Sequence, residues 1–398
     1  MKNNTIALEI SHKYIKVAFG YVQDGQVFIN FVKKAPINHF LENGIIKEKN
    51  ALVKDLMRMN PIVDQEYQFD ELINNVTFVL PPYGLEVYQT KQITSVISPE
   101  KVIGELDIRN IYSIIRNKRL PVDNELIDIV PEAFVIDNGN MYAHAPIGKT
   151  SSAITAFTKV LTLPKRINQE YSEVVKNANI QINRKVVSTF AASELIASYP
   201  DTPDNFFLVD IGAASTSVSL VGNKQLFATR SFSWGGDNIT DHLVSKFNIS
   251  ETEAEKIKVL YGLDKRVIKF DYSVCSVETE EGVTKHYVGE LNSVIEEELD
   301  ELIRNMTNAI EQLAQAYNVI EYMNMPIILI GGGSKLKGIV PYILSKETFQ
   351  NVKTLSPTTI GARDPSLFAL LGAIYSDNKY PNASDEEKKQ SSPVSREE

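Results

Sequence analysis

Three short apolar or alternating runs follow one another at 206–209, 216–221 and 226–232. They are separated by the small-residue turn Gly212-Ala213-Ala214-Ser215 and the pair Gly222-Asn223. Runs of this length, rich in Val, Phe and Thr and bounded by Gly/Asn signals, read as strands. The same order occurs near the N-terminus over 5–31. There an apolar run is followed by the turn Ser11-His12-Lys13, an alternating run, an Asp24-Gly25 hairpin signal and a third run. The first run of each set ends on an acid, Glu9 or Asp210. Two matched copies predict a duplicated domain with the two turns facing a shared cleft.

Between and after these copies the pattern alternates helix and strand. Apolar spacing of three and four predicts helices at 48–59, 163–178, 191–198, 239–247, 251–261 and 291–319, with a short one at 69–73. Ser250 with Glu253 forms a capping box and Gly262 a stop for the 251–261 helix. Unbroken apolar runs predict buried strands at 76–80, 180–187 and 327–330, and 366–376 reads as an apolar closing helix. From 82 to 159 the texture changes. A pair of strands over 85–96 leads to a helix opened by Ser98-Pro99-Glu100 and ending near 117–119. Strands at 125–130, 133–136, 141–145 and 152–158 follow, reading as a small inserted α+β subdomain. A hairpin over 270–288 and a polar, disordered tail after 378 complete the expectation.

Composition narrows the function classes. At 398 residues the chain is long enough for two or more domains with their own cores. A net charge of −9 without a basic block argues against a nucleic-acid partner. One cysteine, Cys275, excludes an internal disulfide framework and fits a reducing compartment, and five scattered histidines give no transition-metal spacing. Neither a signal-peptide pattern nor an apolar run of membrane-spanning length is present, which points to a cytoplasmic protein.

The chemistry lies in the turns. A turn of residues with little side chain lets an anion approach the backbone, and successive N–H groups form a concave anion site. An acid ending the preceding strand then stands near any Mg²⁺ the anion carries. Taken alone, either hairpin is an ordinary small-residue turn; the repeat makes a phosphate grip. Gly235-Gly236 precede a helix, so that turn either lies along a phosphate chain or is plain loop. Gly331-Gly332-Gly333 follow a buried strand and lead to a helix at or beyond Leu336, but without dinucleotide-fingerprint spacing.

These pieces, in this order, resemble the actin/Hsp70/hexokinase ATPase superfamily and, within it, the bacterial cell-division actin FtsA. The matching stretches are LEISHKYIKVAFG, LVDIGAASTSVSL, GGDNITDHL, SETEAEKIKVLYG and ILIGGGSKLKGI. FtsA is suggested further by NGII at 43–46, LPPYGLEVY at 80–88 and the insertion. The resemblance implies an α/β, duplicated actin-like fold. Its first lobe would take 1–81 and 160–204 around the insertion at 82–159. The second lobe would take 205–238 and 325–378, around a smaller subdomain at 239–324, with a tail at 379–398.

The same resemblance implies ATP and Mg²⁺ between the halves. Glu9 and Asp210 would be the metal-side acids, holding Mg²⁺ through water. Ser11, His12, Lys13 and Lys16 would meet the phosphates, with Gly212, Ala213, Ala214, Ser215 and Thr216 as the second cradle and Gly235 and Gly236 beside it. Glu255, with Lys256 or Lys258, would reach the adenosine, and Gly332, Gly333, Ser334 and Lys337 would lie under it. Glu9 stands where the family has Asp, and Ser188 stands where many relatives place a water-aligning acid. At most slow ATP hydrolysis follows, with Asp210 the only catalytic candidate. The implied partners are further copies of the chain in a filament, the FtsZ C-terminal tail through 239–324, and other division proteins through the insertion. Glu298 falls where an arginine often meets that tail. The membrane is implied only through an anchor helix beyond the present C-terminus. A pilus-platform relative of the same core, or a small-metabolite kinase, is the alternative.

Overall fold

The computed structural model describes residues 4–37, 41–42, 44–64, 69–263, 272–279 and 282–380. The first lobe opens with β1 (Thr5–Ile10), β2 (Tyr14–Gln23) and β3 (Gln26–Pro36). Next come the ribbon β4 (Leu41–Glu42) and β5 (Ile45–Ile46), helix α1 (Lys49–Met59), the ribbon β6 (Ile62–Asp64) and β7 (Phe69–Glu71), and β8 (Asn75–Leu80). Where the sequence pattern predicts a short helix at 69–73 there is a strand, because Phe69 stacks on Phe31 with ring centres 4.4 Å apart, and β7 pairs with β6. Tertiary packing overrides propensity here.

The middle segment contains β9 (Glu86–Ser95), α2 (Glu105–Arg116), β10 (Asn124–Ile136), β11 (Met141–Tyr142) and β12 (Ala153–Pro164). They form one four-stranded sheet, β11-β10-β12-β9, with its own small core around Phe134, Ile111 and Ile154. Three expectations are corrected in it. Residues 85–96 make one strand rather than two, paired with β12 along its whole length. Expected strands 125–130 and 133–136 are also one, with Pro131 and Glu132 absorbed at an irregularity in the register. The helix opens at Glu105 instead of near Ser98-Pro99, because Lys101 sits at φ 57° and breaks it. Asp107 then accepts the N–H groups of Gly104 and Ile97, each at 2.8 Å, and so caps the later start.

The first lobe resumes with α3 (Lys165–Asn177), β13 (Gln181–Val187) and α4 (Ser188–Ala197). The second lobe holds β14 (Phe206–Ile211), β15 (Thr216–Gly222), β16 (Gln225–Phe232), α5 (Gly236–Phe247) and α6 (Glu251–Tyr261). It continues with β17 (Ser273–Thr279), β18 (Gly282–Tyr287), α7 (Val288–Ala316), β19 (Ile327–Ile330), α8 (Ile339–Ser345) and β20 (Val352–Thr354); α9 (Phe368–Lys379) closes the first lobe. Asn43, the tip of the expected 270–288 hairpin and the tail at 381–398 lie outside the described residues.

Both lobes are built on one plan. The first sheet runs β3-β2-β1-β8-β13 and the second β16-β15-β14-β19-β20. In each, an antiparallel three-strand meander is followed by two parallel strands, β1 beside β8 and β14 beside β19. β14 alternates between two cores. Phe206 and Leu208 pack with the first lobe's core, while Phe207, Val209 and Ile211 pack against α5, α6 and α7. A strand covered on both faces reads as a continuous apolar run. That leaves its polar end, Asp210, at the inner edge.

Candidate nucleotide cleft

The register makes the two acids equivalent. Glu9 is the penultimate residue of β1, opposite Lys16 on β2 and beside Val79 of β8. Asp210 is the penultimate residue of β14, opposite Ser217 and beside Ile330 of β19. Both line one cleft of about 480 Å³ between the lobes. The hairpin turns stand on either side of it, and the glycine triplet continues β19 along one wall.

On the first-lobe side, buried Lys16 donates to Glu9 Oε1 and to the Ser366 carbonyl, both at 2.8 Å. The other carboxylate oxygen, Glu9 Oε2, is buried with no hydrogen-bond donor among the described residues. Burial pushes the Asp210 pKa up to about 6, with the charge of Glu9 adding to the rise and Lys16 opposing it. An orphaned carboxylate oxygen near a second carboxylate of raised pKa is a local excess of negative charge. It suits a divalent cation. No group of three or more His, Cys, Asp or Glu side chains is arranged as a metal site among the described residues. A Mg²⁺ ion here would therefore keep waters and phosphate oxygens as most of its ligands.

On the second-lobe side the turn is rigid. Gly212 N–H donates to the Ser215 carbonyl at 2.9 Å. The first N–H groups of α5 are stitched to the same turn, Gly236 to the Gly212 carbonyl at 3.0 Å and Asp237 to the Ala213 carbonyl at 2.8 Å. Gly235 is required by that approach, since a Cβ there would lie 2.2 Å from the Ala213 carbonyl oxygen. Behind α5, buried Lys258 donates to the Gly236 carbonyl (2.9 Å), Thr240 Oγ1 (2.8 Å) and Glu255 Oε2 (2.7 Å). Burial raises the Glu255 pKa, but Lys258, Thr240 and Lys13 together outweigh it and leave Glu255 an acid of lowered pKa.

Of the residues singled out in the sequence, Glu9, Ser11, His12, Lys13, Lys16, Asp210, Gly212, Ala213, Ala214, Ser215, Gly236, Glu255, Lys258, Gly332 and Gly333 line the cleft. Five do not. Thr216 is buried with its hydroxyl on the Trp234 carbonyl, and Gly235 lies under Ala213. Ser334 turns inward to the Gly331 carbonyl at 2.8 Å. Lys256 is exposed on the outer side of α6, and Lys337 donates to the Leu260 carbonyl. Of the two lysines offered for the adenosine side, only Lys258 faces the cleft.

The structure adds residues the sequence pattern does not single out. Tyr83 follows the Pro81-Pro82 end of β8, which corresponds to the glycine triplet after β19, and donates across the cleft to Ser215 Oγ at 2.8 Å. Lys34 and Lys335 both meet Asp364, at 3.3 and 2.9 Å, with Ser366 alongside. Gly331, at φ 84°, brings the chain so close that a Cβ would lie 2.3 Å from Asp210 Oδ1. Only the triplet itself signalled that position.

Comparison with known proteins agrees with this picture. A family model described as cell division protein FtsA matches residues 207–372. The cell division protein FtsA of Enterococcus faecalis is 27% identical over 368 residues, covering 90% of this chain and 80% of that protein. Among solved structures, a PilM–PilN type IV pilus biogenesis complex aligns with a TM-score of 0.61 at 18% identity, over 94% of this chain and 98% of that one. MreB5 of Spiroplasma citri bound to AMPPNP aligns with a TM-score of 0.56 at 12% identity, over 98% and 99%.

Duplicated sheets closing on one cleft define an actin-like fold. The sequence relatives all carry one description. Over most of its length the chain is similar to cell division protein FtsA, the likeness its motifs implied.

Proposed function

We propose that the chain binds ATP with Mg²⁺ in the interlobe cleft, assembles with its own copies into filaments, and serves as a division adaptor linking FtsZ filaments to a membrane. The observation that carries the nucleotide reading is the matched pair of hairpins, with Glu9 and Asp210 in equivalent register facing one cavity. Glu9 Oε2 and Asp210 would hold Mg²⁺, largely through water. Bound Mg²⁺ would offset charge on the phosphates. Lys16, fixed by Glu9 and the Ser366 carbonyl, supplies a compact cation beside them. The Gly212–Ser215 turn lines the same space, held in place by the first N–H groups of α5. Glu255 and Lys258 would stand on the base side, in the cleft that Gly332 also lines with open space where a Cβ would be.

Ser188, on the cleft wall at the start of α4, has no acid to align water, so turnover is slow at most. The subdomain of α5, α6 and α7 is the face proposed for the FtsZ tail. Glu298 there accepts from Trp234 Nε1 at 3.2 Å and meets His242 Nδ1 at 2.9 Å. A tail would therefore be received by neighbouring residues rather than by Glu298. No helix of the described residues is long and apolar enough to cross a membrane.

The test combines fluorescent-ATP titration with and without Mg²⁺, electron microscopy on lipid, and pull-down with an FtsZ tail peptide. Mg²⁺-dependent uptake, filaments and peptide capture are expected. Absence of uptake at millimolar ATP would sink the nucleotide reading. Filaments with no peptide capture at high micromolar concentration would favour a pilus-platform type instead.

A further inference from the structure

The first hairpin turn does more than face the second: it grips it. Lys13, at the tip between β1 and β2, places its Nζ 2.5 Å from Asp237 Oδ1, in the first turn of α5. His12 Nε2 lies 3.5 Å from the other oxygen of the same carboxylate. Two acids of α6, Glu251 and Glu255, stand 3.7 and 3.8 Å from the same ammonium. These side chains come from opposite lobes and sit at the rim of the cleft, 27% exposed for Lys13 and 20% for Asp237.

The location matters because of what Asp237 is attached to. Its own N–H, with that of Gly236, is bonded to the carbonyls of Ala213 and Gly212 in the second turn. The Lys13–Asp237 contact therefore joins the two turns that would hold a triphosphate, with one ion pair and two backbone hydrogen bonds in series. Burial works against the Lys13 charge. Asp237 outweighs that loss, with help from Glu255 and Glu251, and the Lys13 pKa rises. An ammonium held by three carboxylates across a gap is an electrostatic bar, and Asp237 is its fixed end.

We propose that Asp237 is a positioning residue for nucleotide exchange, holding Lys13 across the cleft rim so that ATP enters and leaves only when this bar opens. The inference rests on the nucleotide reading above and adds a kinetic determinant to it. Because the bar crosses the entrance, it slows association and dissociation together. Equilibrium affinity is left nearly unchanged, because the pair re-forms after entry.

The test is stopped-flow exchange of a fluorescent ATP analogue with Mg²⁺, using the full chain and the variants Asp237→Asn and Asp237→Glu. Asp237→Asn is expected to raise both rate constants by about tenfold while the Kd moves less than about threefold. Asp237→Glu keeps the charge and restores slow exchange. Added salt to about 0.5 M speeds dissociation more in the wild type than in Asp237→Asn, since the partly exposed Lys13–Asp237 pair is screened. A wild-type chain that takes up no nucleotide overturns both readings. Normal wild-type uptake with unchanged rates in Asp237→Asn, or rates that Asp237→Glu fails to restore, overturns this one alone.

Discussion

At the scale of single residues, the cleft is built from groups kept in costly states. Asp210 has a folded pKa of about 6 against an ordinary 3.8, raised first by burial and then by Glu9. Between those values the folded chain binds more protons than the unfolded one, so ionising Asp210 costs stability. In metal-free buffer, stability should fall as pH rises from about 3.8 to about 6, by up to about 3 kcal/mol. Asp210→Asn should flatten that slope in urea melts taken across the range; an unchanged slope would show that other groups cause it. The glycine triplet separates fold from ligand in the same way. Gly331→Ala forces a Cβ onto Asp210 and the Ile211 carbonyl at positive φ, and should cost about 2 kcal/mol or more in a thermal melt. Gly332 has open space where a Cβ would stand, so Gly332→Val should melt within about 1 kcal/mol of wild type yet lose ATP uptake. Retained uptake would remove the triplet from the site.

At the scale of elements, buried charge joins pieces distant in sequence. Arg184 on β13 is 5% exposed. It donates to Asp128 of β10 at 2.7 Å and to the carbonyls of Ser376 and Tyr380 at 2.8 and 2.6 Å. One side chain thereby ties the inserted sheet to the end of α9. Arg184→Ala leaves Asp128 without its charge partner and should cost about 3–5 kcal/mol, read by chemical denaturation. Loss of less than about 1 kcal/mol would mean water replaces the guanidinium without penalty. Element identity was mostly legible from spacing: α1, α6, α7 and both meanders lie within a few residues of their expected places. The failures share a cause. At 69–71 the Phe69 ring found a partner in Phe31, and at 98–101 the backbone turned at Lys101; neither event has a local signature.

At the scale of the molecule, two sheets of the same strand order place their turns on a common cleft, and rim contacts then span it. Among the described residues, Lys13–Asp237, His12–Asp237 and Tyr83–Ser215 cross between turn regions. Contacts of this kind bear on the opening that the proposed exchange step requires.

The sequence by itself determined the duplication, the two acids, the glycine triplet and the likeness to FtsA. Those follow from local spacing and residue size, which any backbone must obey. Only the tertiary structure decided which of the flagged residues reach the cleft. Lys258 turns in while Lys256 and Lys337 turn out, because helix phase and packing set direction. The pairing of Lys13 with Asp237 was likewise invisible in the chain, since it needs two lobes brought within a few ångströms by cores remote from either residue.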